Sequence, residues 1–571
     1  MRLINTSTGL FEEFIGRNIP KYAILSHTWG EEEVSFKDMA DLSCKSKKEY
    51  AKIEMTCRLA AKAGLGYAWV DTCCIDKSSS AELTEAINSM FQWYGRAAIC
   101  YVFLSDLAAS APLDTELQGC RWFTRGWTLQ ELIAPPEIEF YDQSWSYRGN
   151  KLDFLDNLAR ITGISSNVLQ HMKPLSTVAV AQRMSWASQR QTTRIEDAAY
   201  CLLGIFDINM ALLYGEEEKA FRRLQEEIIR TTPDYTIFAW TTPLTPGNAP
   251  TPATRTYSGI LASSLLQFSK CGFLETLPLN DDTADFSVTN QGIRMHSRFA
   301  LEQIPGQQGC RYIILVCLSD APTILGIRLK RCGPNKFLRA DPYHLATLTN
   351  TSWEDIPRNI YLLTQVQEDQ YIFPFLLSPG ERMIRQSRPY ILQIRLPPKM
   401  RVEGIYPWTG WDDEDQIFFV SGSYGRDCGG AIIRGNPSLD IQGRIFPLGF
   451  AFNFYALGWS KLNNRQLKCT VVAETFTQPT VHKDITEALK KDCNAEALER
   501  LLLYYQVPQS SSVIIDVGLR GLSLLVYFTL TQVTDRSICQ NPFWRVEFGW
   551  KVCDDNELPE IEDARWEDNR D

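Results

Sequence analysis

Residues 21–30 read KYAILSHTWG and residues 67–77 read YAWVDTCCIDK: two short apolar runs, each closing on small polar and ionisable side chains. Runs of this kind fit strands buried on both faces, as in a parallel sheet. Between them Tyr50, Ile53, Cys57 and Ala60 recur at helical steps, and Gly64 stands where a helix C-terminus favours a left-handed residue. Ser79 with Glu82 predicts a capping box, and Leu83, Ile87, Met90, Phe91 and Tyr94 form the apolar stripe of a second helix that Gly95 ends. Strands are expected at 22–26, 67–71, 99–104 and 138–141. A third, short helix over 127–133 must stop before Pro135 and Pro136. The order βαβαβαβ predicts an α/β fold with a parallel sheet.

Outward from this core the pattern changes twice. Residues 151–240 read as helical, clearest at 196–206 and 216–230, with Phe221, Leu224 and Ile228 on one face. Residues 241–255, TTPLTPGNAPTPATR, carry Pro and Thr with almost no large apolar side chains and read as a linker. Beyond it, short runs at 312–317, 324–329, 390–396, 417–420 and 467–473, punctuated by Gly, Pro, Asn and Asp, predict a mainly antiparallel β domain. Asp484 with Glu487 is expected to cap one helix reaching to about Tyr505. The expected organisation is an α/β domain at 1–150, a helical extension packed on it at 151–240, the linker at 241–255, a β-rich domain at 256–553 and an acidic tail at 554–571.

Composition narrows the function classes. With 44% hydrophobic and 22% charged residues among 571, the chain is of ordinary globular type. A net charge of −10 with no cluster of Lys and Arg argues against a broad nucleic-acid or anionic-membrane surface. The first residues, MRLINTSTGLFEEF, lack the apolar core of a signal peptide, so a cytoplasmic location is expected. The most apolar stretch, 512–530, is interrupted by Asp516 and Arg520 and reads as buried strand or helix rather than a membrane span. Sixteen cysteines without a C-x-x-C pair fit free thiols, and the five histidines have no zinc-ligand spacing, so no metal is expected.

The segments KYAILSHTWG at 21–30, AWVDTCCIDK at 68–77 and RWFTRGWTLQELIAPP at 121–136 resemble signature segments of the fungal heterokaryon-incompatibility (HET) domain. Residues 183–228, from RMSWASQRQTTRIEDAAY to RRLQEEI, resemble the segment that follows in many HET proteins. The family is regarded as a relative of the TIR domain. The resemblance therefore implies a flavodoxin/TIR-like sheet, and a self/non-self recognition or programmed-cell-death effector of the innate-immunity type. With no G-x-x-x-x-G-K-[ST] loop and no WD repeat, the chain resembles the stand-alone HET architecture.

Enzymatic TIR domains cleave NAD between nicotinamide and ribose with a glutamate four residues after a tryptophan. That pattern falls here on Trp127 and Glu131, which a helix would place on one face. The resemblance thus implies Glu131 as the catalytic carboxylate and NAD as a substrate rather than a resident cofactor. Many TIR domains instead act as non-enzymatic adaptors. That alternative implies a homo-oligomer on activation and a protein partner sensed by the C-terminal domain.

In an open parallel sheet a ligand binds outside the carboxyl ends of the strands. The residues there are Ser26, His27 and Trp29 after the first strand, Asp71, Thr72, Cys73 and Asp76 after the second, and Ser105 and Asp106 after the third; Arg125 and Trp127, at the third helix, join them as candidates. His27 fits either a ligand contact or acid/base group, or a tie from its loop to a backbone carbonyl. Adjacent Ser26 and His27 point apart on a strand, which argues against a nucleophilic dyad. Asp71 and Asp76 suit a ribose or a helix cap, and Arg125 a phosphate or a surface ion pair. Arg194, Glu196 and Asp197 are expected to form a polar network docking the helical extension onto the sheet.

Overall fold

A computed structural model describes residues 1–244 apart from 17, 41 and 42, and residues 257–277. From 286 to 365 it describes strands and turns apart from 298, 304–309, 320–322, 332–335, 349–350 and 354–357, and from 389 to 554 the strands with residues 396 and 416. The expected helix at 484–505, most of the linker and nearly all of the acidic tail lie outside the described residues.

The N-terminal sheet contains seven strands: β1 (Arg2–Asn5), β2 (Phe11–Glu13), β3 (Tyr22–His27), β4 (Tyr67–Trp69), β5 (Ile99–Phe103), β6 (Ile138–Tyr141) and β7 (Tyr147–Asn150). Their order is β2-β1-β4-β3-β5-β6-β7. The four strands expected from the apolar runs pair in parallel at its centre, in the order β4-β3-β5-β6. The expected second strand stops at Trp69, because the chain turns at Val70, whose carbonyl accepts from Cys74 N–H at 2.9 Å. Two edges were not anticipated. Residues 2–13 form a hairpin antiparallel to β4, and β7 folds back antiparallel on β6. All six residues of β3 are buried, as a central strand covered on both faces requires.

The crossover helices form where the periodicity places them, over Tyr50–Lys62 and Ser80–Arg96. Gly64, with φ +76°, closes the first. At the second, Ser79 Oγ accepts from Glu82 N–H at 3.3 Å, but the reciprocal half of the capping box is not made. The Glu82 carboxylate instead accepts from Asp76 N–H at 2.8 Å and Arg2 at 2.9 Å, tying the N-terminal hairpin to this helix. The third helix, Thr128–Ile133, is a short piece whose six residues are all buried.

Residues 151–240 are helical with irregular joints. The helix expected at 196–206 is broken into Asp197–Tyr200 and Leu203–Phe206, and that at 216–230 becomes Lys219–Thr231. Phe221, Leu224 and Ile228 are buried on one face of the latter, each contributing about 1.5–3 kcal/mol. One apolar core runs on from Leu3 to Leu362. The strands beyond 256 pair mostly antiparallel, and the expected runs appear as Cys310–Leu318, Ile324–Arg331, Pro389–Arg395, Ile417–Ser421 and Leu467–Glu474. The apolar stretch near 512–530 is a hairpin of Ser512–Leu519 and Leu522–Val533. Among the described residues no helix is long and apolar enough to cross a membrane.

Candidate functional site

Because β3 lies between β4 and β5, the chain leaves it to one side and returns on the other. The crevice of such a sheet opens at the carboxyl ends of those strands. A cavity of about 300 Å³ sits there, lined by residues of the strand-end loops, the Thr128–Ile133 helix and the helical segment beyond 190. Strand alternation sends the last two residues of β3 apart, as expected: Ser26 faces that short helix, and His27 faces the β4 loop and Glu33.

Glu131 is 6% exposed and contributes to the pocket wall. Its Oε2 accepts a 2.5 Å hydrogen bond from Ser26 Oγ, which in turn accepts from the Trp122 indole N–H at 2.8 Å. Burial is the main cause that pushes the Glu131 carboxyl up to about 8; the charge of Asp71 adds to it, while hydrogen bonds from Ser26 and Tyr94 and the Arg190 guanidinium oppose it. Arg190 is held beneath the pocket by donating to the Arg125 carbonyl and to Thr128 Oγ1, both at 2.9 Å.

His27 is buried in the wall, and both ring nitrogens lack a hydrogen-bond partner. Its Nε2 stands 3.7 Å from Glu33 and 3.8 Å from Asp71, beyond hydrogen-bond range. Of the two alternatives for His27, the tie to a backbone carbonyl is therefore not made. Burial first, and then the nearby Lys52 ammonium, hold its pKa down at about 3, so the imidazole is neutral at physiological pH. Trp29, half-exposed, donates from its indole to Asp71 at 2.8 Å.

The pocket brings together His27, Trp29, Asp71, Arg125, Trp127 and Glu131. Ser26 stands behind Glu131 rather than in the wall. Asp76 is outside the pocket. Its carboxylate closes a turn by accepting from the N–H and hydroxyl of Ser78 at 2.9 and 2.6 Å, and it does not cap the following helix, whose N-cap is Ser79. Arg125 makes no carboxylate pair among the described residues; it donates to Thr193 Oγ1 at 3.2 Å.

The far wall was only partly legible. Thr193, Arg194, Asp197 and Tyr214 line the pocket with Lys77. Asp197 accepts from the indole of Trp127 at 3.3 Å and the hydroxyl of Tyr214 at 3.0 Å, so the polar network expected to dock the helical segment also builds the site. Glu196 accepts from Gly215 and Glu217 N–H and holds the loop that carries Tyr214. The clue for Tyr214 lay in its position within the resembling segment, since no periodicity marks it.

These features define a class: an α/β protein with a crevice at the carboxyl edge of a parallel sheet, with a buried carboxyl group in its wall. Residues 22–118 match the family described as Heterokaryon incompatibility protein (HET), and residues 219–304 match Domain of unknown function (DUF8212). A segment of 220 residues is 51% identical to Vegetative incompatibility protein HET-E-1 of Podospora anserina; it covers 37% of this chain and 16% of that protein. Residues 22–118 thus carry a HET domain, similar to that of a fungal incompatibility protein of which the chain spans well under two thirds. No solved structure matches it.

Proposed function

We propose that the chain is a heterokaryon-incompatibility effector that triggers cell death, and that its HET domain does so by cleaving NAD at the nicotinamide–ribose bond. The incompatibility role is supported by the HET match and by the likeness to HET-E-1. The strand order β4-β3-β5-β6 supports a flavodoxin/TIR-like arrangement. The observation that carries the chemistry is Glu131, a buried carboxyl in the wall of an aromatic-lined pocket.

Burial holds the Glu131 carboxyl at about 8, on the protonated side of neutral pH. A nicotinamide ring bound as its ribosyl cation brings positive charge against it, which lowers the pKa and favours the carboxylate. As the glycosidic bond breaks, nicotinamide leaves neutral with the bonding pair and the ribose takes up oxocarbenium character, which the same carboxylate stabilises; a water molecule then bonds to the ribose carbon and gives up a proton to solvent. Assembly of several copies is part of the reading, as the step that switches a resting protein on. Nicotinamide release is to be measured with and without enforced clustering. Wild type is expected to release it and Glu131→Ala, folded by circular dichroism, to release none. Folded, clustered wild type that leaves NAD intact would remove the enzymatic reading.

A further inference from the structure

Three cations line the pocket without a carboxylate partner within 4.0 Å among the described residues: Lys77, Arg125 and Arg194. Two of them rest on aromatic faces. Lys77 Nζ lies 3.7 Å from the ring centroid of Trp29, and the Arg194 guanidinium 4.3 Å from that of Tyr214. Arg125 is steadied by the Thr193 hydroxyl. A π face holds a cation in place without cancelling its charge. These groups are therefore oriented in advance while their charge stays available.

The other ionisable groups of the wall offset them only in part. Asp71 is engaged by Trp29, and Asp197 by Trp127 and Tyr214. Glu131 is protonated and His27 neutral at pH 7. Three cations thus face two carboxylates, and the pocket is net positive in a chain whose net charge is −10. Another part of the same pocket is apolar, lined by Ile75, Leu83, Ile87 and Met90.

We propose that Lys77, Arg125 and Arg194 form a phosphate subsite, which takes the phosphates of a nucleotide-type ligand whose ring system lies against the apolar wall. The two guanidiniums suit bidentate contact with phosphate oxygens and the ammonium acts as a point charge. The subsite rests on the same pocket as the reading above, but requires no bond to be cleaved in it.

Calorimetric titration of the full chain with ADP, adenosine and pyrophosphate tests it. ADP is expected to bind about tenfold or more tightly than adenosine, and pyrophosphate to compete with ADP. Lys77→Ala and Arg194→Ala, both at exposed positions, are each expected to weaken ADP by about three- to tenfold while leaving adenosine unchanged. Rising salt should weaken ADP alone. Equal binding of ADP and adenosine, or ADP binding indifferent to the Lys77→Ala/Arg194→Ala pair, would overturn the proposal. ADP binding with the expected dependence but no NAD turnover would sink the cleavage reading and leave the subsite standing. NAD turnover with a KM untouched by both substitutions would do the reverse.

Discussion

Ser26 and Glu131, 105 positions apart in sequence, share a 2.5 Å hydrogen bond in which the serine hydroxyl donates. That one contact gives the serine a part that the sequence left open. Its proton points at a carboxyl group and its lone pair is taken by Trp122, while His27 faces the other way. Ser26 is thus built to orient Glu131, not to attack a substrate.

Ser26→Ala should slow NAD cleavage without abolishing it. Losing one hydrogen bond to a carboxylate amounts to about 1.5–3 kcal/mol, a drop in kcat of roughly ten- to hundredfold. The buried Trp122 indole loses its acceptor as well, so the unfolding free energy should fall by about 1–3 kcal/mol. Because the Ser26 bond favours the ionised carboxylate, its removal should also shift the pH profile upward. An unchanged kcat, or a loss as complete as that of Glu131→Ala, would show that the serine does something else.

Stability should carry a signature of Glu131. Its folded pKa, about 8, lies above the value of 4.5 expected for an exposed glutamate, so between those limits the folded state binds more protons than the unfolded. The resulting stabilisation is present in full below about 4.5, is lost as pH rises, and changes no further above about 8. Its slope is at most about −1.4 kcal/mol per pH unit. His27 works in the opposite sense at lower pH. Its folded pKa of about 3 lies below the ordinary 6.5, so stability rises with pH over that window and is complete above it. Subtracting a Glu131→Gln denaturation series from the wild-type one isolates the glutamate. A flat difference from pH 5 to 8 would mean that Glu131 is ionised in the folded protein.

The same residues show what the sequence could carry. β3 and β5 were legible because a strand covered on both faces must be a continuous apolar run, and the two crossover helices because their buried faces repeat. The hairpin of residues 2–13 was not. Its strands are three and four residues long, with Arg2, Glu12 and Glu13 among them, and they are held by partners distant in sequence, such as Glu82. Glu131 could be singled out by its spacing from Trp127, but its protonation follows from burial and from Asp71, which no local pattern encodes. Asp76 and Asp71 look alike in sequence. Only the turn that Asp76 closes at Ser78 sets it apart from the wall residue Asp71.

Asp197 should behave as a positioning residue. It joins two aromatic walls by accepting from Trp127 and from Tyr214. Asp197→Ala removes both bonds, and the lost seating of Trp127 and Tyr214 should outweigh the removal of one negative charge beside the cations: ADP binding weakens and the KM for NAD rises by about three- to tenfold each, with a smaller effect on kcat. Asp197→Asn keeps an acceptor oxygen and should recover part of that affinity. Unchanged or tighter ADP binding in both variants would show that the charge of Asp197, not its hydrogen bonds, is what the pocket feels.

Gly126 offers the sharpest test of how the helical segment is seated against the site. Its N–H donates to the Gln191 carbonyl at 2.9 Å, just before Trp127. A Cβ there would lie 2.6 Å from Thr192 Cγ2 and 3.2 Å from Cys201 Sγ. Gly126→Ala must displace Thr192, whose hydroxyl donates to the Arg194 carbonyl at 2.7 Å, so the disturbance reaches a residue of the pocket wall. The expected cost is about 1–3 kcal/mol in denaturant unfolding. Thr192→Ser deletes the clashing methyl group while keeping the hydroxyl, and in the double variant most of the lost stability should return. A double variant no more stable than Gly126→Ala alone would place the strain elsewhere, and would separate the seating of this segment from the Gly126 contact.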